Sequence, residues 1–445
     1  MTKLFHKLEL SDKEENISPE RKKKAAIAAG ASALFAGAGY IVQKEYLRGA
    51  LYALVEAAFI LLFIFWGKDA IAGFFSLGEV PMRDHSLVFL VYGILAFIVL
   101  GAFLVFWAIG IIETYRNGIK ITDENYERPS RKEAFREWLH EKTHVLFLAS
   151  GVAAIALVVL IPLVFSICIA FTNYDASHQP PRVLIEWVGM QNFKDLLTLG
   201  SYATTFFGIL GWTLIWTVCS SVFPYGLGIL LAVLLNNPRL KGKKIYKTIF
   251  ILPWAIPAYI SLLVLQTMFD TGYGLINQIL ELFGGSGVPW LTQTTPARCA
   301  LILVSVWTGF SYPMMLSENI IKNIDREIYE AAALEGATGA KAFFHITLPL
   351  LMFSISPIFI MSLAGAFNNF NTIFLLTGGG PLNLDYQSAG STDILITWLF
   401  KMTINNNNKY NFGAAISLIL FILVAIFSIF QLRKTRAFKE EDNNA

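Results

Sequence analysis

The residues that could do chemistry in this sequence are few, and the most suggestive one lies in an apolar segment. Glu56 is the only acidic residue well inside such a segment. A carboxylate within a membrane commonly binds a proton or an ion, as in ion-coupled transporters. An acid with a local hydrogen-bond partner is the structural alternative. Both interpretations of Glu56 remain open from the sequence.

Motifs for nucleotide binding or bond cleavage are missing from the sequence. Gly242-Lys243 is followed by Lys244 rather than by serine or threonine, so it does not complete a phosphate-binding loop. The sequence has no nucleophile elbow and no H-E-x-x-H, and its six histidines are scattered. The three cysteines are not spaced as metal ligands or as a redox pair; they are Cys168, Cys219 and Cys299. We therefore expect no catalytic residue, no metal site and no cofactor, and any energy must come from another chain.

The composition places these residues in a membrane protein. Of the 445 residues, 55% are hydrophobic and only 15% are charged, with a mean hydropathy of +0.55. A soluble domain carries about 25% charged residues. The net charge of +3 gives no indication of nucleic-acid binding. The predicted fold class is an all-α, polytopic membrane protein.

Apolar segments of about 20 residues, enough to cross a bilayer, give the number of spans. Two lie in the N-terminal third, at 48–67 and 86–113. Six follow, at about 144–172, 203–236, 247–269, 298–317, 350–375 and 411–432. The sequence therefore predicts about eight transmembrane helices.

Lysine and arginine in the loops predict the orientation of the spans. The basic segments are 115–143, 237–247 and the tail after 432. The segments 173–200 and 271–297 carry only Arg182 and Lys194 between them. This pattern predicts two cytoplasmic termini and a cytoplasmic loop at 319–349. It also makes 25–42 a shallow or re-entrant segment, because a full span there would leave the basic run 21–24 outside.

The cytoplasmic stretch YEAAALEGATGAKAFFHITLPLL, residues 329–351, has the features of a docking element. Its alanines give a helix with little side-chain bulk, and Gly336 permits a bend or a close approach. Phe343 and Ile346 supply apolar anchors, and Pro349 suits the first turn of the next helix. An interfacial amphipathic helix is the alternative.

Aromatic, amide and hydroxyl side chains in the last spans could bind a saccharide, which presents apolar ring faces edged by hydroxyl groups. The candidates are Trp254, Tyr259, Trp307, Phe310, Phe367 and Phe370 for the ring faces, and Ser305, Thr308, Asn368, Asn369 and Asn371 for the hydroxyls. Helix packing or lipid contact is the alternative for each aromatic residue. An interhelical hydrogen bond is the alternative for the asparagines.

The stretch 329–351 resembles the EAA loop of binding-protein-dependent ABC importer permeases. The resemblance extends over 144–435 and is closest to the MalF-type subunit of maltose/maltodextrin importers, through ILPWAIPAY (251–259), VWTGFSYPMM (306–315), AFNNFNTIFLLTGGGP (366–381) and STDILITWLFKMT (391–403). It implies a six-helix core of the MetI-like type preceded by two accessory helices. It assigns ATPase coupling to Glu330, Ala331, Ala332, Gly336, Ala337, Phe343, Ile346, Leu348 and Pro349. It implies that a sugar site is lined by Trp254, Ala258, Ser305, Gly309, Gly365 and Asn369. Tyr259, Thr308 and Asn368 complete the predicted sugar site on the strength of their residue types.

The resemblance also implies partners and a cellular location. They are a second homologous permease subunit, a cytoplasmic ATPase dimer, an extracellular sugar-binding lipoprotein, the oligosaccharide and the lipid bilayer of a bacterial plasma membrane. The short outer loop after 144–172 is similar to that of Gram-positive members. The expected function is inward transport of maltodextrin-type sugars by alternating access, with ATP hydrolysis on another chain.

Domain boundaries follow from the apolar segments and the basic linker. We expect a cytoplasmic tail at 1–24, accessory membrane segments at 25–114, a cytoplasmic linker at 115–143, the permease core at 144–435 with its EAA loop at 329–349, and a cytoplasmic tail at 436–445. The rival function is an ion-coupled secondary sugar transporter that acts alone through Glu56. A membrane enzyme of glycan metabolism is a third class, but the sequence offers it no catalytic residues.

Overall fold

The computed structural model describes residues 18–122, 136, 143, 147–404 and 408–434. The chain forms two compact units that divide between Trp187 and Val188. Most of the predicted linker 115–143, most of the tail 1–24 and the tail 436–445 lie outside the described residues.

The helices of the first unit are α1 (Pro19–Leu34), α2 (Ala38–Val42), α3 (Tyr46–Ser76), α4 (Ser86–Ile121) and α5 (Phe147–Ala170). Helices α3 and α4 run side by side, joined by stacked aromatic pairs. Phe59 stacks on Phe103 with ring centroids 3.8 Å apart, and Tyr52 stacks on Phe106 at 4.8 Å. Gly110 lets Tyr52 approach, because a Cβ there would meet the tyrosine ring.

The segment 19–42 is a helical hairpin against the last turns of α4. At its start, Arg21 Nη2 donates a hydrogen bond to the Ile119 carbonyl at 3.0 Å. At its end, Gln43 Nε2 donates to the Thr114 carbonyl at 2.7 Å. Both ends of the hairpin therefore lie beside the same end of α4, which is the geometry that a shallow or re-entrant segment requires. The hairpin is not among the candidate membrane spans.

Glu56 stabilises the tip of this hairpin. Its Oε2 accepts a hydrogen bond from the Ala36 backbone N–H at 2.9 Å, at the break between α1 and α2. That N–H belongs to a break in the helical backbone, where an unpaired donor is costly in an apolar setting. The contact gives Glu56 a local structural partner.

The second unit contains the remaining helices. They are α6 (Gln191–Thr198), α7 (Gly200–Asn236), α8 (Lys243–Ala255), α9 (Ala258–Met268), α10 (Leu275–Leu282), α11 (Thr294–Gly309), α12 (Ser311–Lys322), α13 (Arg326–Leu334), α14 (Ala340–Phe367), α15 (Phe370–Thr377), α16 (Leu395–Thr403) and α17 (Tyr410–Lys434). Helix α14 begins ten residues earlier than the predicted span 350–375, because a π-helical turn at Phe343–Thr347 continues it without a break. It also ends earlier, at Phe367, and Asn368-Asn369 separates it from α15.

Two spans of this unit are bent. Helices α8 and α9 meet at 93° around Ile256-Pro257, and α11 and α12 meet at 43° around Phe310. Pro257 ends the first helix because the residue before a proline is driven out of the helical conformation. Counted as one span each, the bent pairs bring the six straight candidates to eight. This count confirms the predicted all-α fold of about eight transmembrane helices.

Helix α7 is the central element on which the bent span α11–α12 packs. At Gly228 a Cβ would meet the Met314 N and the Phe310 carbonyl oxygen at 2.8 Å, so only glycine admits this approach. At Gly309 a Cβ would lie 3.2 Å from the Pro224 ring. These two close contacts fix the bend of α11–α12 against the middle of α7.

Candidate functional site

The first part of the predicted coupling segment lies in the short helix α13, which is exposed on the surface of the second unit. No residue of α13 is buried. Leu334, its last residue, is 92% exposed, so the helix presents an apolar side chain to solvent. Glu330 is exposed as well and pairs with Arg326 one turn earlier at 3.2 Å. Because both side chains reach solvent, we expect this ion pair to contribute little to stability.

A glycine-dependent cap ends this helix. The Ala337 N–H donates to the Ala332 carbonyl at 2.8 Å, and the Gly336 N–H donates to the Ala333 carbonyl at 3.1 Å. This pair of bonds is a Schellman motif, which needs a left-handed residue after the helix. Gly336 supplies it with φ +79°, and among the described residues no atom beyond its immediate chain neighbours lies within 4 Å of where its Cβ would be. The glycine therefore shapes the turn and keeps its outer side open.

A side-chain contact joins α13 to α14. The Tyr329 hydroxyl and Thr347 Oγ1 are 2.8 Å apart, and Thr347 is buried. Phe343, Ile346 and Leu348 are partly buried within α14, and Pro349 is exposed. Because α14 already begins at Ala340, Pro349 lies inside this helix rather than in its first turn as predicted. The nine predicted coupling residues thus form two groups. One is presented to solvent around Glu330 and Gly336, and the other, from Phe343 to Pro349, belongs to α14 itself.

A pocket of about 440 Å³ opens between α7, the α11–α12 bend and α14. This volume lies in the range of roughly 300–1,000 Å³ that is typical of small-molecule sites. Its lining residues are Ser220, Pro224, Tyr225, Gly309, Tyr312, Pro313, Ile358, Met361 and Ser362. None of them carries a full charge at neutral pH. Two tyrosines and two serines lie among apolar residues in this lining, which suits an uncharged ligand with apolar and hydrogen-bonding faces.

Of the predicted sugar residues, only Gly309 lies in this pocket. Gly365 is one helical turn beyond Met361 on α14, with open space at its Cα. Ser305 and Thr308 use their hydroxyls within α11, donating to the Ile302 and Val304 carbonyls.

The other predicted sugar residues lie at the two helix breaks. Trp254 and Tyr259, which flank Pro257, are 57% and 61% exposed, and Ala258 and Asn368 are also exposed. Asn369 caps α15, since its side-chain oxygen accepts from the Thr372 N–H at 3.3 Å. The structure therefore gives Asn369 a capping partner within its own segment rather than an interhelical hydrogen bond.

Sequence reasoning missed four polar or aromatic residues of the pocket: Ser220, Tyr225, Tyr312 and Ser362. Tyr225 packs edge-on against Phe359 with ring centroids 4.9 Å apart. The signal for α7 was Pro224, a helix-interior proline beside a tyrosine. Tyr312 lay within the quoted stretch VWTGFSYPMM, three residues after Gly309.

Comparison with known proteins identifies the family. Residues 225–436 match the family described as "Binding-protein-dependent transport system inner membrane component". The chain is 35% identical over 406 residues to the galactooligosaccharides transport system permease protein GanP of Bacillus subtilis (strain 168), covering 91% of this chain and 96% of that protein. It is 34% identical over 421 residues to the maltodextrin transport system permease protein MdxF of the same organism, covering 93% and 97%.

A solved structure shares the fold. It is the crystal structure of a bacterial ABC transporter involved in the import of the acidic polysaccharide alginate, with a TM-score of 0.57 and 21% identity, covering 68% of this chain and 98% of the matched one. The EAA-loop resemblance and the two full-length relatives agree with it. The chain belongs to the binding-protein-dependent transport system inner membrane component family and is a permease subunit of an ABC importer in a bacterial membrane.

Proposed function

We propose that this chain is the MalF-type half of an importer for maltodextrin-type oligosaccharides. The observation that carries the proposal is the match to GanP and MdxF over nearly their whole lengths, because both names specify oligosaccharide transport. The pocket beside α7 supports it with tyrosine rings and hydroxyl groups and no charged lining residue. Such a lining suits neutral sugars, since an unpaired charge in a membrane pocket is costly.

The partners follow from the parts that this chain lacks. A second homologous permease completes the path, and an extracellular binding lipoprotein delivers the sugar. A cytoplasmic ATPase dimer hydrolyses ATP, because this sequence carries no phosphate-binding loop. The basic segments support a cytoplasmic location for both termini and for the coupling segment. The cell is Gram-positive on this proposal, in keeping with the short outer loop. The permease core extends over 144–435, after accessory segments at 25–114.

Coupling runs through the exposed group of α13. Its alanines and Gly336 leave the backbone accessible, and Leu334 offers an apolar side chain for a partner's groove. Closure of the ATPase dimer displaces α13, and the Tyr329–Thr347 contact transmits that movement to α14. Because α14 also forms one wall of the pocket, its displacement changes access to the sugar, as alternating access requires.

The test is uptake of labelled maltotriose by cells that lack the native gene and express this chain with its partner subunits. Wild-type uptake is expected to depend on ATP and on the binding protein. Glu330→Lys reverses the charge at the docking surface and is expected to reduce uptake, whereas Glu281→Lys, at another exposed acid on α10, is expected to have no effect. Uptake that persists after ATP depletion, or equal effects of the two substitutions, would refute the proposal.

Glu56 gives no support to the rival ion-coupled mechanism. Its carboxylate already accepts the Ala36 N–H, at a hairpin tip in the first unit. An ion-coupling acid has to exchange its ion during each cycle, and loss of this hydrogen bond would leave a backbone donor unpaired.

A further inference from the structure

The base of the hairpin 19–42 is a strongly basic surface of the first unit, formed by three segments that converge beside α4. Gly118 of α4 lies between the other two segments, because a Cβ there would meet the Ala25 Cα at 2.9 Å and Gln43 Nε2 at 3.0 Å. Asn117 Nδ2 donates to Gln43 Oε1 at 2.8 Å. The exposed cations that the three segments bring to this base are Lys22, Lys23, Lys24, Lys44, Arg116 and Lys120.

These cations have no anionic partner in the described part of the chain. None of the six side chains forms an ion pair with a residue that the structure describes. Two acids of the same region are already engaged: Glu45 pairs with Arg48 at 3.1 Å, and Glu113 accepts from the Tyr52 hydroxyl at 3.1 Å. The base therefore carries excess positive charge that is open to an anion from outside the chain.

The opposite end of the hairpin is apolar, and its depth fits the bilayer. Leu34 and Phe35 at the tip are 78% and 65% exposed. Glu56, which accepts the Ala36 N–H at the tip, lies ten residues after the start of α3 at Tyr46. Ten helical residues span about 15 Å, which is half of a hydrocarbon core roughly 30 Å thick. With the tip near the bilayer centre, the basic base lies at the level of the phospholipid headgroups.

We propose that this base binds an anionic phospholipid, with the lysines of α1 against the headgroup and the hairpin tip among the acyl chains. Clusters of about four to eight basic residues beside a membrane segment are typical of sites for anionic headgroups. Lys22 lies in the first turn of α1, where the helix dipole favours an anion and disfavours a cation, so a bound phosphate offsets both charges. The proposal does not depend on the sugar that is carried or on the coupling segment.

The experiment measures lipid binding directly. The protein is purified in mild detergent with the subunits that accompany it and is titrated with phosphatidylglycerol or with phosphatidylcholine, whose headgroup has no net charge. Bound lipids are counted by native mass spectrometry. Wild type is compared with the hairpin variant Lys22→Gln/Lys23→Gln/Lys24→Gln and with the control variant Arg239→Gln/Lys241→Gln/Lys244→Gln. The control removes the same charge from three exposed residues of another basic segment, 237–247.

Wild type and the control variant are expected to bind phosphatidylglycerol in preference to phosphatidylcholine. The hairpin variant is expected to bind phosphatidylglycerol more weakly by roughly tenfold or more, because each cation beside an anionic surface contributes about fivefold. Its binding of phosphatidylcholine should not change. Equal weakening in the two triple variants, or no preference in the wild type, would show general attraction to basic segments and would overturn a site at the hairpin.

Two further measurements separate the lipid from other occupants. Deacylated glycerophosphoglycerol, added at the concentration of the lipid, is expected not to compete; equal competition would mean that the base takes any soluble phosphodiester. Loss of an accompanying subunit from the hairpin variant would instead assign the lysines to a protein contact. The thermal unfolding midpoint without added lipid should match the wild type, because the three lysines are exposed and unpaired within the described residues. A lower midpoint would give these lysines a structural role and would also overturn the lipid assignment.

Discussion

Removing the Lys401 ammonium should destabilise the second unit more than removing both members of its ion pair. Lys401 Nζ lies 2.6 Å from Asp393 Oδ2, and the Asp393 side chain is fully buried. The carboxylate also accepts the Gly390 N–H at 2.7 Å and the Thr397 hydroxyl at 2.8 Å. Gly379, in the turn after α15, packs directly on this pair, since a Cβ there would clash with both charged groups.

The burial of Asp393 determines how much stability Lys401→Met should remove. Lys401→Met leaves a carboxylate with two hydrogen bonds and no counter-charge, and such a broken buried pair costs about 3–5 kcal/mol. The double variant Asp393→Asn/Lys401→Met keeps the shape of the side chain and one of its two hydrogen-bond acceptors, and it removes the uncompensated charge. We expect it to recover about 1 kcal/mol or more, within the coupling of roughly 0.5–3 kcal/mol that contacting residues show.

The assay is the thermal unfolding midpoint of the purified protein in mild detergent. Lys401→Met is expected to unfold at the lowest temperature, the double variant at an intermediate one, and Lys194→Met, an exposed lysine of α6, at the wild-type temperature. Equal midpoints for Lys401→Met and the double variant would show that the pair carries no coupling energy, and the reasoning from burial would be wrong.

Three further outcomes follow from other contacts. Tyr329→Phe removes the hydroxyl contact between α13 and Thr347, so transport per ATP hydrolysed should fall about 2- to 12-fold, as expected for one hydrogen bond, while the ATPase stays bound; unchanged coupling would count against transmission through this contact. Glu56→Gln keeps an acceptor for the Ala36 N–H, so uptake should stay within about twofold of wild type and respond to pH as wild type does; a loss of uptake would revive the ion-coupled mechanism. Trp254→Ala should change relative uptake across a panel of oligosaccharides without loss of the ATPase, whereas an unchanged uptake profile would remove Trp254 from the sugar path.

The number and type of spans could be predicted from the sequence because they depend on length and hydrophobicity, which are local properties. The break at Pro257 was also predictable, since proline ends a helix by local steric effects. The start of α14 at Ala340 was not. The residue types of the turn Phe343–Thr347 do not indicate that it is π-helical, nor that it joins the preceding residues to Leu348 in one helix.

The coupling segment could be predicted from the sequence, whereas most of the pocket could not. Glu330, Gly336 and their neighbours form one continuous stretch, so residue types and spacing were enough to predict an exposed docking element. The pocket is assembled from α7, α12 and α14, which are far apart in the sequence. Gly309 was found through its motif, but Ser220 and Ser362 become pocket residues only through the close packing at Gly309 and Gly228. No pattern within one helix predicts that contact.

The central claim, that α13 couples this permease to an ATPase, is tested most directly by copurification from native membranes. Wild type, Gly336→Trp and Gly284→Trp are tagged, purified in mild detergent and analysed by mass spectrometry. Gly284 is a matched control: it ends α10 with the same pair of capping bonds, has φ +81° and has open space at its Cα. Both substitutions impose a similar left-handed strain of about 1–2 kcal/mol.

Wild type and Gly284→Trp are expected to recover a second permease and an ATPase. Gly336→Trp is expected to recover the permease without the ATPase. Recovery of the ATPase with Gly336→Trp, or its loss from both tryptophan variants, would contradict a coupling surface at Gly336.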